Sequence, residues 1–115
     1  MKFAMFVVHG DDSVTPADEA AAPDLDEWFE WARGRGALVH AVRLLDPPEA
    51  RTVARRGGEL LVTDGPYAES QEWIAGFAIL ECASVEEALE IVSRNPAAYY
   101  GRVELRPVHS STLED

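Results

Sequence analysis

The sequence is poor in cysteine and in basic residues, and each shortage excludes a class of protein. Its 115 residues include one cysteine, Cys82, which can form neither an intramolecular disulfide nor a cysteine zinc cage. A reducing, cytoplasmic setting is therefore expected. Lysine and arginine total 10 against 21 aspartates and glutamates, giving a net charge of −11. That charge repels phosphates and anionic lipid head groups, so neither nucleic acid nor a membrane is an expected partner.

Long hydrophobic runs and recognisable cofactor motifs are missing as well. The apolar run over residues 3–8 is too short for a signal peptide or a membrane span. The glycines fit no phosphate-binding loop, and the acids and histidines fit no EF-hand or two-histidine metal motif, so no cofactor and no metal site are expected. An apolar fraction of 47% is typical of a folded domain. We expect one domain over residues 1–115, with its core in about 1–109 and a short tail over 110–115.

Hydrophobic periodicity predicts the elements of the first half. The unbroken apolar run over residues 3–8 indicates a buried first strand. Apolar residues at helical spacing then predict an amphipathic helix that ends at Gly34 and Gly36, with Leu25, Trp28, Phe29 and Ala32 on its inner face. A second strand over residues 37–45 stops before Pro47-Pro48, because proline cannot continue a ladder.

The second half repeats this pattern after an insertion. Gly57-Gly58 supplies the positive φ angles of a tight hairpin between residues 50–55 and 59–63. A strand over 73–82 precedes a helix that begins with a Ser84–Glu87 capping box, and an edge strand over 102–107 follows. The order β-α-β-(hairpin)-β-α-β predicts an α+β, ferredoxin-like split fold whose two helices cover one face of an antiparallel sheet.

The uncovered face of that sheet predicts a homodimer. The first strand is apolar on both sides, with Phe3, Met5 and Val7 opposite Ala4, Phe6 and Val8, and the strand over 73–82 shares this property. Two helices can cover only one face, so a second sheet is needed to cover the other. Two chains packed about a two-fold axis would form a dimeric α+β barrel.

One segment carries a family resemblance. Residues 63–77, TDGPYAESQEWIAGF, resemble the signature of the YCII-related family in its DGPF branch, with Tyr67 at the position of the phenylalanine. The resemblance extends through Glu104–Val108 and Lys2-Phe3 and spans nearly the whole chain. It implies a dimeric α+β barrel in a family whose members are largely without an assigned reaction.

The resemblance also bears on function. Some YCII-like relatives carry a catalytic pair proposed to consist of a histidine in the first helix and an aspartate, but residues 24–28 here contain no histidine. That pair is therefore not carried over. DGPF proteins are often encoded beside extracytoplasmic-function sigma factors, which implies a regulatory setting and a sigma-factor-linked partner.

Polar residues of two loops are expected to converge at one end of the sheet. The antiparallel order brings the loop after the first strand close to the loop before residue 73. We interpret His9, Asp64 and Glu69 as candidates for acid–base catalysis, and Tyr67, Glu72 and Trp73 as ligand-binding neighbours. Each has a plainer alternative: Asp64 before Gly-Pro as a turn residue, the glutamates as caps or solvated side chains, and His9 as a solvated loop histidine.

Two residues of the second strand complete the candidate set. His40 is predicted on the face shared by Leu38, Val42 and Leu44, as a hydrogen-bonded interior histidine or as a group lining a cavity, with the interior role favoured. Arg43, on the opposite face, could pair with a ligand carboxylate or form an interface ion pair.

Two functional hypotheses follow. The first is a small-molecule-binding protein or enzyme that uses acid–base residues in a pocket between sheet and helices. The second is a non-catalytic regulatory module that binds a partner linked to a sigma factor. A partly apolar pocket beside the loop acids would favour the first hypothesis, and a flat solvated surface the second.

Overall fold

A computed structural model of the protein describes residues 1–66 and 70–109. The helices and strands within these ranges, in chain order, are β1 (Lys2–His9), α1 (Pro16–Ala20), α2 (Leu25–Gly34), β2 (Leu38–Arg43), a 3₁₀ turn (Pro47–Glu49), β3 (Arg51–Arg56), β4 (Glu59–Asp64), β5 (Trp73–Glu81), α3 (Val85–Ser93), α4 (Ala97–Tyr100) and β6 (Arg102–Pro107). The predicted α+β class is confirmed. The short helix α4 was not expected from the sequence.

The sheet has the predicted antiparallel topology. Its four strands lie in the order β2-β5-β1-β6, so the two strands that are apolar on both sides, β1 and β5, occupy the centre. The strands β3 and β4 form a separate ribbon, joined by Gly57 and Gly58 at φ angles of 57° and 81°. Those positive angles match the twist of a two-residue hairpin, and the predicted insertion is confirmed.

The hydrophobic core lies between one face of the sheet and the helices α2 and α3. Phe3, Leu80 and Ile91 are fully buried there, and Phe3 and Leu80 are register partners on neighbouring strands. Trp28 of α2 donates its indole N–H to the carbonyl oxygen of Ile91 at 2.9 Å. This buried hydrogen bond fixes one helix against the other while it satisfies the polar edge of a large apolar side chain.

The opposite face of the sheet, which we call the bare face, presents apolar side chains. Phe6 pairs in register with Phe77, and Ala4 pairs with Ile79; all four remain partly exposed. Ile74 beside them is 49% exposed. The helices α2 and α3 both pack into the buried core cluster on the other face.

A register shift in β2 changes which face two of its residues occupy. In β2 the register shifts between Leu38 and His40, which pair with Leu80 and Ile79 respectively. Leu38 therefore lies on the core face, while His40 lies on the bare face and is exposed in the single chain. The prediction that His40 shares a face with Leu38 is wrong, because the extra residue Val39 breaks the two-residue alternation, and within one chain His40 is not an interior histidine.

No helix within the described ranges is long and apolar enough to cross a membrane.

Candidate functional site

A cavity of about 490 Å³ lies between the sheet and α2, and we call it the sheet–helix cleft. Its apolar lining comes from the core face of the sheet and from α2, and includes Met5, Val7, Ala78, Leu25, Trp28 and Phe29. These residues line it because β1 alternates with a period of two and α2 places Leu25, Trp28 and Phe29 on one side. The volume is that of a pocket for a small organic molecule.

Six polar side chains border the same cleft, namely His9, Arg33, Arg43, Asp46, Asn95 and Tyr100. They come from separate parts of the chain: the end of β1, the last turn of α2, the end of β2, the following loop and the segment around α4. Asn95 is itself buried and its side-chain oxygen accepts the amide N–H of Ala97 at 2.8 Å. A partly apolar cavity with a few convergent polar groups is the usual form of a ligand site.

His9 borders the cleft and lies beside two aromatic rings. It continues the alternation of Phe3, Met5 and Val7 and so faces the helices. Its ring centroid lies 5.7 Å from that of Tyr100 and 6.1 Å from that of Trp73, both edge-on. These rings fix the orientation of the imidazole, and within the described part of the chain its nitrogens have no hydrogen-bond partner. His9 is therefore placed to exchange a proton with a molecule in the cleft.

The two loops expected to converge do meet beside His9. Gly10 has a φ of 99°, and a Cβ at this position would collide with the backbone oxygen of Gln71 in the other loop. Only glycine allows both the positive φ and this close approach. The backbone contact thus requires a glycine immediately after the histidine.

An arginine of β6 ties these loops together. The Nε of Arg102 lies 3.0 Å from Oδ2 of Asp11 and 3.3 Å from Oε1 of Glu72. Two donors of Ser13, its hydroxyl and its amide N–H, also bind Asp11 and, with Arg102, hold the pKa of that carboxyl below its usual value. Asp11 and Glu72 thus share the single cation of Arg102, which supports a structural role for both.

The predicted site residues are only partly brought together. His9, Glu72 and Trp73 lie at the same end of the sheet, and Arg43 lines the cleft. Asp64 is the last residue of β4, where its side chain is 88% exposed and its Oδ1 is 3.2 Å from Nε of Arg51, and it does not border the cleft. His40 is on the bare face and not in the cleft. Tyr67 and Glu69 lie outside the described residues.

Several residues of the cleft were not predicted from the sequence. Trp28 and Phe29 were recognised only as the apolar face of a helix, since their spacing does not distinguish a core wall from a ligand wall. Arg33 continues that spacing one turn further, a signal that could have been followed. Asn95 and Tyr100 lie between α3 and β6, in a segment that carried no site motif. In residues 1–66 and 70–109 no cluster of three or more His, Cys, Asp or Glu could hold a metal ion.

Comparison with known proteins identifies two similarities. The sequence model of the family described as YCII-related domain matches residues 1–111. An uncharacterized protein of Rhizobium meliloti (strain 1021) is 35% identical over 109 residues, a match that covers 87% of this chain and 86% of the relative. The family match includes every residue of the sheet–helix cleft.

Proposed function

The chain belongs to the YCII-related domain family, and from that premise we propose that it binds a small organic molecule in the sheet–helix cleft and acts on it by acid–base chemistry at His9. The observation that carries this proposal is the convergence of six polar side chains on a partly apolar cavity of about 490 Å³. Side chains that serve only to pack a core would not leave such a volume beside titratable groups. We also place the chain in the DGPF branch, on the strength of Asp64-Gly65-Pro66.

The chemistry follows from the position of His9. An imidazole both accepts and donates a proton near neutral pH, so one residue can take a proton from a ligand and return it to another atom. The Tyr100 ring borders the cleft beside it, where its hydroxyl is a candidate donor to a ligand oxygen. Trp28 and Phe29 supply flat apolar walls for the rest of the ligand. A proton transfer between two positions of one molecule is the simplest reaction that these groups support.

A homodimer is part of the proposal. The bare face exposes Phe6, Phe77 and Ile79 at the centre of the sheet, and a soluble monomer rarely leaves such a contiguous apolar patch in water. The bare face of a second chain has the same composition by symmetry and would cover it in an isologous interface. The cleft lies on the other side of the sheet, so each chain of the dimer would keep its own site.

A thermal-shift screen of the protein against a collection of metabolites tests the proposal, because a molecule that binds the native state must stabilise it. We expect at least one metabolite to raise the melting temperature and to be converted to a product. His9→Gln should bind that metabolite but convert it slowly. His109→Gln is the matched control, because His109 follows β6 at the opposite end of the sheet.

Two outcomes would contradict the proposal. If no metabolite stabilises the protein, the cleft is not a ligand site, and the hypothesis of a regulatory interaction module is favoured instead. If His9→Gln converts the metabolite as fast as the wild-type protein does, the acid–base group is another residue.

A further inference from the structure

The charge of the cleft differs in sign from that of the whole protein. The chain has 21 acidic and 10 basic residues and a net charge of −11. The charged side chains that border the cleft are Arg33, Arg43 and Asp46, two cations against one anion. A positively charged site on an otherwise acidic protein attracts anions.

Of the two arginines, Arg43 is the more informative. Within residues 1–66 and 70–109 it takes part in no hydrogen bond and no ion pair. Arg51, Arg94, Arg102 and Arg106 each lie within 4.0 Å of a carboxylate; of the described arginines without such a pair, Arg33 and Arg43 border the cleft. An arginine left without a carboxylate in so acidic a protein has five N–H donors available to a ligand.

The strand geometry keeps the space beside Arg43 open. Arg43 pairs in register with Gly76 of the central strand β5, so no side chain rises from the neighbouring position on that face. A Cβ at Gly76 would lie 2.7 Å from the carbonyl oxygen of Val42, too close for any other residue without a shift of the backbone. Gly76 therefore places no side chain between Arg43 and the cleft, which both residues border.

The opposite wall provides an aromatic and cationic surface. The guanidinium carbon of Arg33 lies 5.2 Å from the centre of the Phe29 ring, and both residues border the cleft together with Trp28. This contact holds the Arg33 guanidinium over a flat apolar surface and leaves its N–H groups available to a ligand.

We propose that the ligand of the sheet–helix cleft is a small organic carboxylate, anchored through its carboxylate by Arg43 and packed through an apolar, planar body against Trp28 and Phe29. This inference rests on the proposed function and specifies its ligand. A guanidinium matches a carboxylate with two parallel N–H···O bonds. The local balance of two arginines and Asp46 suits one negative charge, whereas a phosphate dianion would meet repulsion from Asp46.

Matched pairs of probes test the inference, each consisting of a carboxylate and its carboxamide: benzoate and benzamide, phenylacetate and phenylacetamide, 2-naphthoate and 2-naphthamide. The members of a pair have nearly the same shape and differ in charge. Isothermal titration calorimetry should show that at least one carboxylate binds the wild-type protein about tenfold or more tightly than its carboxamide.

Variants then assign that preference to one residue. Arg43→Gln removes the charge, and we expect it to bind the carboxylate no more tightly than the carboxamide while carboxamide affinity stays within about twofold. Arg55→Gln is the matched control, because Arg55 lies in the ribbon and does not border the cleft; it should keep the full preference. Circular dichroism would show that both variants are folded.

Three results would overturn the inference. A carboxamide that binds the wild-type protein as tightly as its carboxylate would show that the cleft binds ligands without selecting anions, so the proposed function would stand. A preference that survives in Arg43→Gln would place the anchor elsewhere. If no carboxylate of the panel binds, the ligand class is wrong, and the metabolite screen then decides separately whether the cleft binds anything.

Discussion

Replacement of Trp28 by phenylalanine tests the packing of α2 that forms one wall of the cleft. Trp28 is 4% exposed, and its indole donates to the carbonyl oxygen of Ile91 at 2.9 Å. The same carbonyl also accepts the amide N–H of Arg94 at 3.3 Å, so loss of the indole does not leave it without a donor. We therefore assign about 1 kcal/mol to the lost hydrogen bond, the value of an ordinary intramolecular bond.

The smaller ring also loses packing contacts. Removing part of a buried aromatic side chain costs at least about 1 kcal/mol where the neighbours cannot close the gap, so the free energy of unfolding should fall by about 2 kcal/mol in total. Urea unfolding at one fixed protein concentration would measure this loss as a lower midpoint with an unchanged m-value.

Trp31→Phe is the matched control for this substitution. Trp31 is only partly buried, and its ring faces the guanidinium groups of Arg35 and Arg94 at 4.9 and 4.8 Å. A phenyl ring retains part of such a contact, so this variant should lose less than about 1 kcal/mol. Equal losses in the two variants, or an unchanged midpoint for Trp28→Phe, would refute the role given to the buried hydrogen bond.

Three further predictions concern other parts of the molecule. Asp11 has a lowered pKa, so its contribution to stability is present above its usual pKa of 3.8 and is lost as the pH falls through the lower pKa of the folded state. Asp11→Asn should therefore flatten the fall in unfolding free energy between about pH 5 and 2. An unchanged slope would contradict this. Cys82 is buried and burial raises its thiol pKa, so a thiol reagent at pH 8 should modify it slowly until urea is added; rapid labelling of the folded protein would disagree. Light scattering should give twice the chain mass of 12.6 kDa for the wild type and a lower mass for Phe6→Asp, and a wild-type monomer at micromolar concentration would disprove the homodimer.

The fold was predictable because its determinants are local. The two-sided apolar pattern of residues 3–8 and 73–82 placed β1 and β5 at the centre of the sheet, and Gly57-Gly58 placed the hairpin turn. The position of His40 was not predictable, since the register shift next to Val39 depends on how β2 pairs with β5 rather than on its own alternation.

The site was predictable only where it follows from strand direction. The meeting of the loops beside His9 and the side of β2 that carries Arg43 both follow from antiparallel order and alternation. Asp64, predicted among the converging acids, forms an exposed ion pair with Arg51 and does not border the cleft; its part in a site stays a prediction. The pairing of Asp11 with Arg102 joins residues 91 positions apart, and Tyr100 reaches the cleft from a helix of four residues. No local pattern encodes such contacts.

A crystal structure of the protein with the most stabilising small molecule from the screen tests the central claim most directly. Our account predicts that the molecule lies between α2 and the sheet, in contact with Trp28 and His9, with a carboxylate oxygen within hydrogen-bonding distance of the Arg43 guanidinium. A molecule bound instead on the bare face, or at the end of the sheet near His109, would contradict it.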